Sequence, residues 1–131
     1  QYGLDSLNAE ISTWMKMGKI KNAPPMSVQG RDSLVWARDY SHVQEHKCDC
    51  DLLKETLKMI PGVERIVVGH TIQHPHGITS ACDGKVIRVD VGMSKGCVDA
   101  KPEALEILRD GEVLTKLKLG ADGRTVVGEA V

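Results

Sequence analysis

Gly69-His70-Thr71 closes an apolar, β-branched run, Arg65-Ile66-Val67-Val68. A buried strand ending there would deliver an imidazole to its own C-terminal rim. Open α/β sheets place ligands and catalytic groups at such rims. Imidazole can ligate a metal or move a proton near neutral pH. Gly69 permits close approach of another backbone or a ligand. Thr71 and Gln73 add polar groups able to orient the ring or meet a phosphate. A strand-end histidine is usually satisfied by backbone, so its surroundings decide its role.

Other residues could join such chemistry. Arg38 follows the apolar Leu34-Val35-Trp36-Ala37. Its planar guanidinium can give two parallel hydrogen bonds to a phosphate; the ordinary alternative is a weak surface pair with Asp39 or a nearby acid. Asp90-Val91-Gly92 places a carboxylate at the end of a second apolar run. His42, His46, Cys48 and Cys50 form a cluster with zinc-ligand chemistry but unusual spacing, so a solvated loop is the ordinary reading. His74 and His76 bracket Pro75, which marks an exposed turn.

The elements that must position these groups read as α/β, β-rich after residue 64. Asp5 or Ser6 caps a helix from about Leu7 to Met17, with Gly18 as its stop. Lys19 to Gly30 is a surface connector, and Leu34 to Ala37 a short strand. Asp49 or Asp51 caps a second helix to about Ile60, with Leu52, Leu53, Leu57 and Ile60 as its apolar stripe. Pro61-Gly62 closes it, and a strand runs from Glu64 to Gly69. Gly77–Ala81 and Lys85–Val91 flank Asp83-Gly84, a strong primed-turn hairpin signal. Glu103–Leu108 and Glu112–Leu119 flank Asp110-Gly111 in the same way. The segment from Gly120 to Val131 reads as a frayed last strand. No repeat or boundary divides the chain, so a single unit over 1–131 is expected.

Composition narrows the classes. The 131 residues carry a net charge of −1, which points to neither nucleic acid nor an anionic membrane. No apolar run approaches the roughly 20 residues of a membrane-spanning helix. Phe is absent, so the core must rest on Val, Ile, Leu and Met. The spacing of Cys48, Cys50, Cys82 and Cys97 fits neither a zinc knuckle nor a small disulfide scaffold. Free thiols in a reducing compartment are the expectation, with the cytoplasm as the default; the rival is a disulfide from Cys48 or Cys50 to a distant partner.

Several of these segments, in order, resemble the calcineurin-like metallophosphoesterases. Val67-Val68-Gly69-His70-Thr71-Ile72-Gln73, Gly77-Ile78 and the run from Asp83 to Gly96 are most similar to the Shewanella-like branch of the phosphoprotein phosphatases. Leu34-Val35-Trp36-Ala37-Arg38-Asp39-Tyr40 and Glu103-Ala104-Leu105-Glu106-Ile107 also resemble that branch. The resemblance implies the C-terminal half of a four-layer α/β/β/α sandwich. It implies hydrolysis of phosphomonoesters, with a phosphoprotein as substrate, by water activated between two divalent ions (manganese, iron or zinc). By motif, His70 corresponds to a metal ligand and catalytic residue, Arg38 to the phosphate-gripping catalytic arginine, and Asp90 to a substrate-side wall of the cleft.

The family's Asp-x-His, Gly-Asp-x-x-Asp-Arg-Gly, Gly-Asn-His-Glu and His-Gly-Gly-Leu elements do not occur in these residues. The expectation is therefore an incomplete site: the N-terminal half is absent, one ligand is supplied here, and the isolated chain is inactive. The implied partners are a phosphoprotein and the missing half, or another chain, covering the exposed sheet. The alternative from a different class is a truncated paralogue acting as a protein-binding or scaffold module.

Overall fold

The computed structural model describes residues 2–17 and 23–131, Tyr2 by its backbone only. These residues fall into two compact units, divided after Arg38, where the sequence shows no boundary. Among them no helix is long and apolar enough to cross a membrane.

The first unit contains helix α1, Tyr2–Lys16. It begins about a turn earlier than the capping residues predict. Asp5 lies in the first turn, where a carboxylate complements the helix dipole. The expected stop at Gly18 and the first part of the connector fall outside the described residues. A 3-10 turn, Met26–Val28, follows. The strand expected at Leu34–Ala37 is not formed. Instead, the Trp36 and Ala37 N–H groups both donate to the Ser33 carbonyl, at 2.9 and 3.0 Å. The Ser33 hydroxyl donates to the Gly30 carbonyl. These short-range bonds wind the segment into a turn, and Leu34, Val35 and Trp36 remain exposed. Apolar content suggested a strand, but among the described residues of this unit there is no strand to accept its ladder.

The second unit runs from Asp39 to Val131. Helix α2, Cys50–Lys58, is capped by Asp49, whose carboxylate accepts the Leu52 N–H at 2.9 Å. Leu53 and Leu57 are its buried residues, while Leu52 stays exposed. Ile60-Pro61-Gly62-Val63 then turns the chain. Proline stands second and Gly62, at φ 75°, third, as a type II turn requires.

Two three-stranded sheets follow. The first contains β1 (Ile66–Val68), β2 (Thr79–Ala81) and β3 (Val86–Arg88) in the order β1-β3-β2. β1 is parallel to β3, with Val68 opposite Arg88, and β2 is antiparallel to β3. The β2–β3 turn has Asp83 at φ 56° and Gly84 at φ 73°, the positive pair that primed hairpin turns use. The second sheet contains β4 (Glu103–Leu108), β5 (Val113–Leu119) and β6 (Val126–Ala130), paired antiparallel in chain order. The mixed α/β class, strand-rich after residue 64, is as expected.

Strand alternation decides which face meets what. Val86 and Ala81 join Leu53, Leu57, Cys48 and Cys82 in one cluster, with Ile66 and Val68 against it. Ile87 points the other way, into a cluster with Ile78 and Val91, against which Leu105 and Leu114 of the second sheet pack. All three β3 residues are buried, Val86 and Ile87 as their apolar side chains predicted, and Arg88 with its guanidinium donating to the His42 and Ser80 carbonyls. Within the first cluster Cys50 and Cys82 are disulfide-bonded. This corrects the expectation of four free thiols. The helix start and the hairpin turn bring the two Cα atoms to 5.2 Å, well within bridging range. Cys48 and Cys97 are free, one buried and one exposed.

Asp122 organises the turn before β6. Its carboxylate accepts from the Thr125 hydroxyl and from the Arg124 and Thr125 N–H groups. These bonds, the hydroxyl first, hold its pKa down to about 2 from the ordinary 3.8. A depressed carboxyl stabilises the fold above its unfolded value and loses that contribution as pH falls through the folded one. We expect the Arg124 and Thr125 amides to lose protection as pH falls from 3.8 through about 2, read by NMR. A side chain titrating at the ordinary value would refute the capped turn.

Candidate functional site

The parallel pairing of β1 and β3 fixes the candidate rim. Val68 is opposite Arg88, and the Val89 N–H donates to the Val68 carbonyl at 2.9 Å. Each strand therefore ends at the same level. His70 lies two residues beyond β1 and Asp90 two residues beyond β3. The segments carrying these two predicted site residues leave adjacent strand ends on one rim.

His70 is exposed and holds a left-handed backbone, φ 68°. It is the middle of a three-residue turn in which the Thr71 N–H reaches the Gly69 carbonyl at 2.9 Å. For a residue with a Cβ this conformation costs on the order of 1–3 kcal/mol and persists only where surrounding structure enforces it. Gly69, expected to allow a close approach, has open space where a Cβ would stand.

The residues after His70 do not serve as the sequence suggested. Gln73 is buried, and its amide donates to the carbonyls of Ser41 and Thr71, both at 2.9 Å. The Thr71 and Ser41 hydroxyls are bonded at 2.7 Å. Both side chains are thus engaged inside the protein and hold the loop. Ser41 went unnoticed in the sequence because it lies 30 positions from Thr71 and matches no motif.

The Asp90 segment is equally constrained. The Asp90 carboxylate accepts the Gly92 N–H at 2.9 Å, and its carbonyl accepts the Gln73 N–H at 2.8 Å. Gly92 has φ 66°, and a Cβ there would come within 2.7 Å of methyl groups of Ile72 and Val98. Glycine is the residue that fits both that backbone and that space.

Arg38 belongs to the other unit, as its last residue. Its guanidinium donates to the Trp36 and Ala37 carbonyls at 2.7 and 3.0 Å and lies 5.5 Å from the Trp36 ring centroid. It thus stacks on its own turn, and the surface pair with Asp39 is replaced by carbonyl bonds.

The remaining candidates separate. His74 and His76 sit in an exposed turn, as expected. Cys50 is committed to its disulfide, and the Cys48 thiol is buried, donating to the Tyr40 and His42 carbonyls. The His42, His46, Cys48, Cys50 set therefore lacks two of its sulfur donors. Among the described residues no three His, Cys, Asp or Glu side chains converge to hold a metal ion.

The comparisons with known proteins give an extended match. Over 113 residues, 86% of this chain, the sequence is 48% identical to Shewanella-like protein phosphatase 2 of Arabidopsis thaliana. The similarity is to the Shewanella-like phosphatase branch. The chain spans 29% of that relative's length. An uncharacterized protein of Schizosaccharomyces pombe is 34% identical over 59 residues, 45% of this chain and 17% of that protein. No family model matches the chain, and no solved structure matches it. The Shewanella-like match supports a phosphatase family for these residues.

Proposed function

We propose that these residues are part of a metal-dependent phosphatase domain that hydrolyses phosphomonoesters, with phosphoproteins as substrates. The 48% identity to a Shewanella-like protein phosphatase carries this reading. His70, exposed at the sheet rim, is its metal ligand. Arg38 is its phosphate-gripping group, and Asp90 a wall of the cleft. On this reading, α2 and the two sheets are the C-terminal part of a four-layer α/β/β/α sandwich.

The residues at this rim do not make a metal centre by themselves. No set of three donors converges among those described, and the Asp90 carboxylate is taken by a backbone N–H. One imidazole holds a divalent ion weakly, because affinity comes from several preset donors. The manganese, iron or zinc pair would therefore need donors from outside these 131 residues, and the isolated chain would be inactive.

The test is turnover of a phosphopeptide with added manganese by the full-length protein that contains this chain. His70→Ala is expected to lower kcat/KM by about 100-fold or more, since even outer-shell partners of a metal contribute 10–100-fold. Undiminished turnover in His70→Ala would sink the reading, as would rapid turnover by residues 1–131 alone.

One observation favours a second reading, a non-catalytic protein-binding or scaffold module. Among the described residues β1 pairs on one side only, with β3. Val67 is half-exposed and lines an open groove of about 1010 Å³ with Val63 and Ile107. An uncovered edge of this kind recruits another polypeptide, either the rest of the phosphatase domain or a different chain. A stable, compact monomer in size-exclusion chromatography would count against that reading.

A further inference from the structure

Arg88 carries a buried charge with no carboxylate paired to it among the described residues. Its side chain is 3% exposed. Its terminal nitrogens donate to the His42 and Ser80 carbonyls, at 2.7 and 2.8 Å. Its Nε–H is buried and has no hydrogen-bond partner. Burying a cation is costly unless an anion or a full set of acceptors meets it.

A second orphan stands beside it. Thr79 on β2 is directly opposite Arg88 on β3, so the two side chains share one face of the sheet. The Thr79 hydroxyl is also buried without a partner. Both residues line an open cavity of about 440 Å³. Lys116 of β5 lines it from the second sheet, with His76 and Glu45 on other walls. Lys116 lies 3.4 Å from Glu129, but that carboxylate also pairs with Lys118, so one anion serves two ammonium groups. Glu45 is exposed, where water and salt screen its charge; the buried guanidinium is screened much less. The cavity thus has an excess of positive charge and two unused donors at one wall.

We infer that this cavity binds a small oxyanion, a phosphate group, held by the Arg88 Nε–H, the Thr79 hydroxyl and the Lys116 ammonium. The three donors come from three strands in two sheets, an arrangement that suits a tetrahedral group with acceptor oxygens on every side. A carboxylate is planar and is gripped best by two parallel guanidinium N–H groups. Arg88 has already given its terminal nitrogens to carbonyls. None of Arg38, His70 and Asp90 lines the cavity, so the inference stands or falls without the phosphatase reading.

The test is an NMR titration of the 131-residue chain with inorganic phosphate, with ionic strength held constant by chloride. The signals followed are the Arg88 side-chain Nε–H and the amides of Thr79, Ser80 and Lys116. Saturable shifts are expected there in the millimolar range, with acetate about 10-fold weaker. Thr79→Val removes the hydroxyl and keeps the shape. It should weaken phosphate by about 10-fold, the worth of one hydrogen bond to a charged group. Lys116→Met should weaken it by about 2- to 5-fold, as a partly screened charge does. No saturable shift at Arg88 and Thr79 overturns the inference, the two orphans then being met by water alone; shifts scattered over surface lysines overturn it as well. So does a folded Thr79→Val that binds phosphate as the wild type does. If that variant fails to fold, Lys116→Met decides in the same way. Acetate binding as tightly as phosphate overturns the choice of a phosphate group.

Discussion

Leu53→Ala is expected to lower the unfolding free energy of the Asp39–Val131 unit by about 3–5 kcal/mol. Leu53 is fully buried on α2 and packs into the cluster with Leu57, Ala81, Val86 and the bridged cysteines. Its neighbours are mostly small, and no Phe exists anywhere in the chain to spread into the space left behind. The cavity would stay open, so the loss belongs toward the upper part of the range seen for leucine truncation. Urea unfolding followed by far-UV circular dichroism measures it. A loss below about 1 kcal/mol, the level of surface substitutions, would show that α2 does not pack on the first sheet.

Removing the Cys50–Cys82 bridge is expected to cost about 3–4 kcal/mol. The bond closes a loop with a sequence separation of 32, which sets the extra freedom the unfolded chain regains. Cys82 is buried and Cys50 partly so, so the link joins the start of α2 to the β2–β3 turn inside the core. The urea midpoint of the wild type should fall on adding reductant. That of the Cys50→Ala/Cys82→Ala double variant should already be low and insensitive to it. Thiol titration of the unreduced, denatured wild type should find Cys48 and Cys97 alone. Four reactive thiols there, with no response to reductant, would refute the bridge.

The parts of this molecule that follow local rules were legible in the sequence. Asp49 capping α2, Gly62 closing its turn, Asp83-Gly84 joining β2 to β3 and Asp110-Gly111 joining β4 to β5 each rest on a backbone preference carried by one or two residues. β3 read as doubly buried because Ile87 adds an apolar residue to Val86, Val89 and Val91; the burial of Arg88 between them was not legible, since the carbonyls it bonds belong to His42 and Ser80. Misreadings arose where distant residues decide. Leu34–Trp36 has strand composition, but a ladder needs a partner, and Ser33 winds the segment into a turn instead. Cys50 meets Cys82 only because α2 lies on the hairpin, which no spacing rule encodes. At the rim, His70 could be placed at a strand end from its neighbours. The internal roles of Thr71 and Gln73 depend on Ser41, far away along the chain.

The division after Arg38 also determines what an optical experiment can see. Both tryptophans, Trp14 and Trp36, lie in the first unit, while the second carries Tyr40 as its one large aromatic side chain. Tryptophan emission during denaturation therefore follows the segment that ends at Arg38. The rim with His70 and Asp90 can lose its order while the emission curve is reporting on something else. Transitions traced by emission and by backbone signals need not coincide in this protein, and a single midpoint drawn from fluorescence would describe the wrong unit.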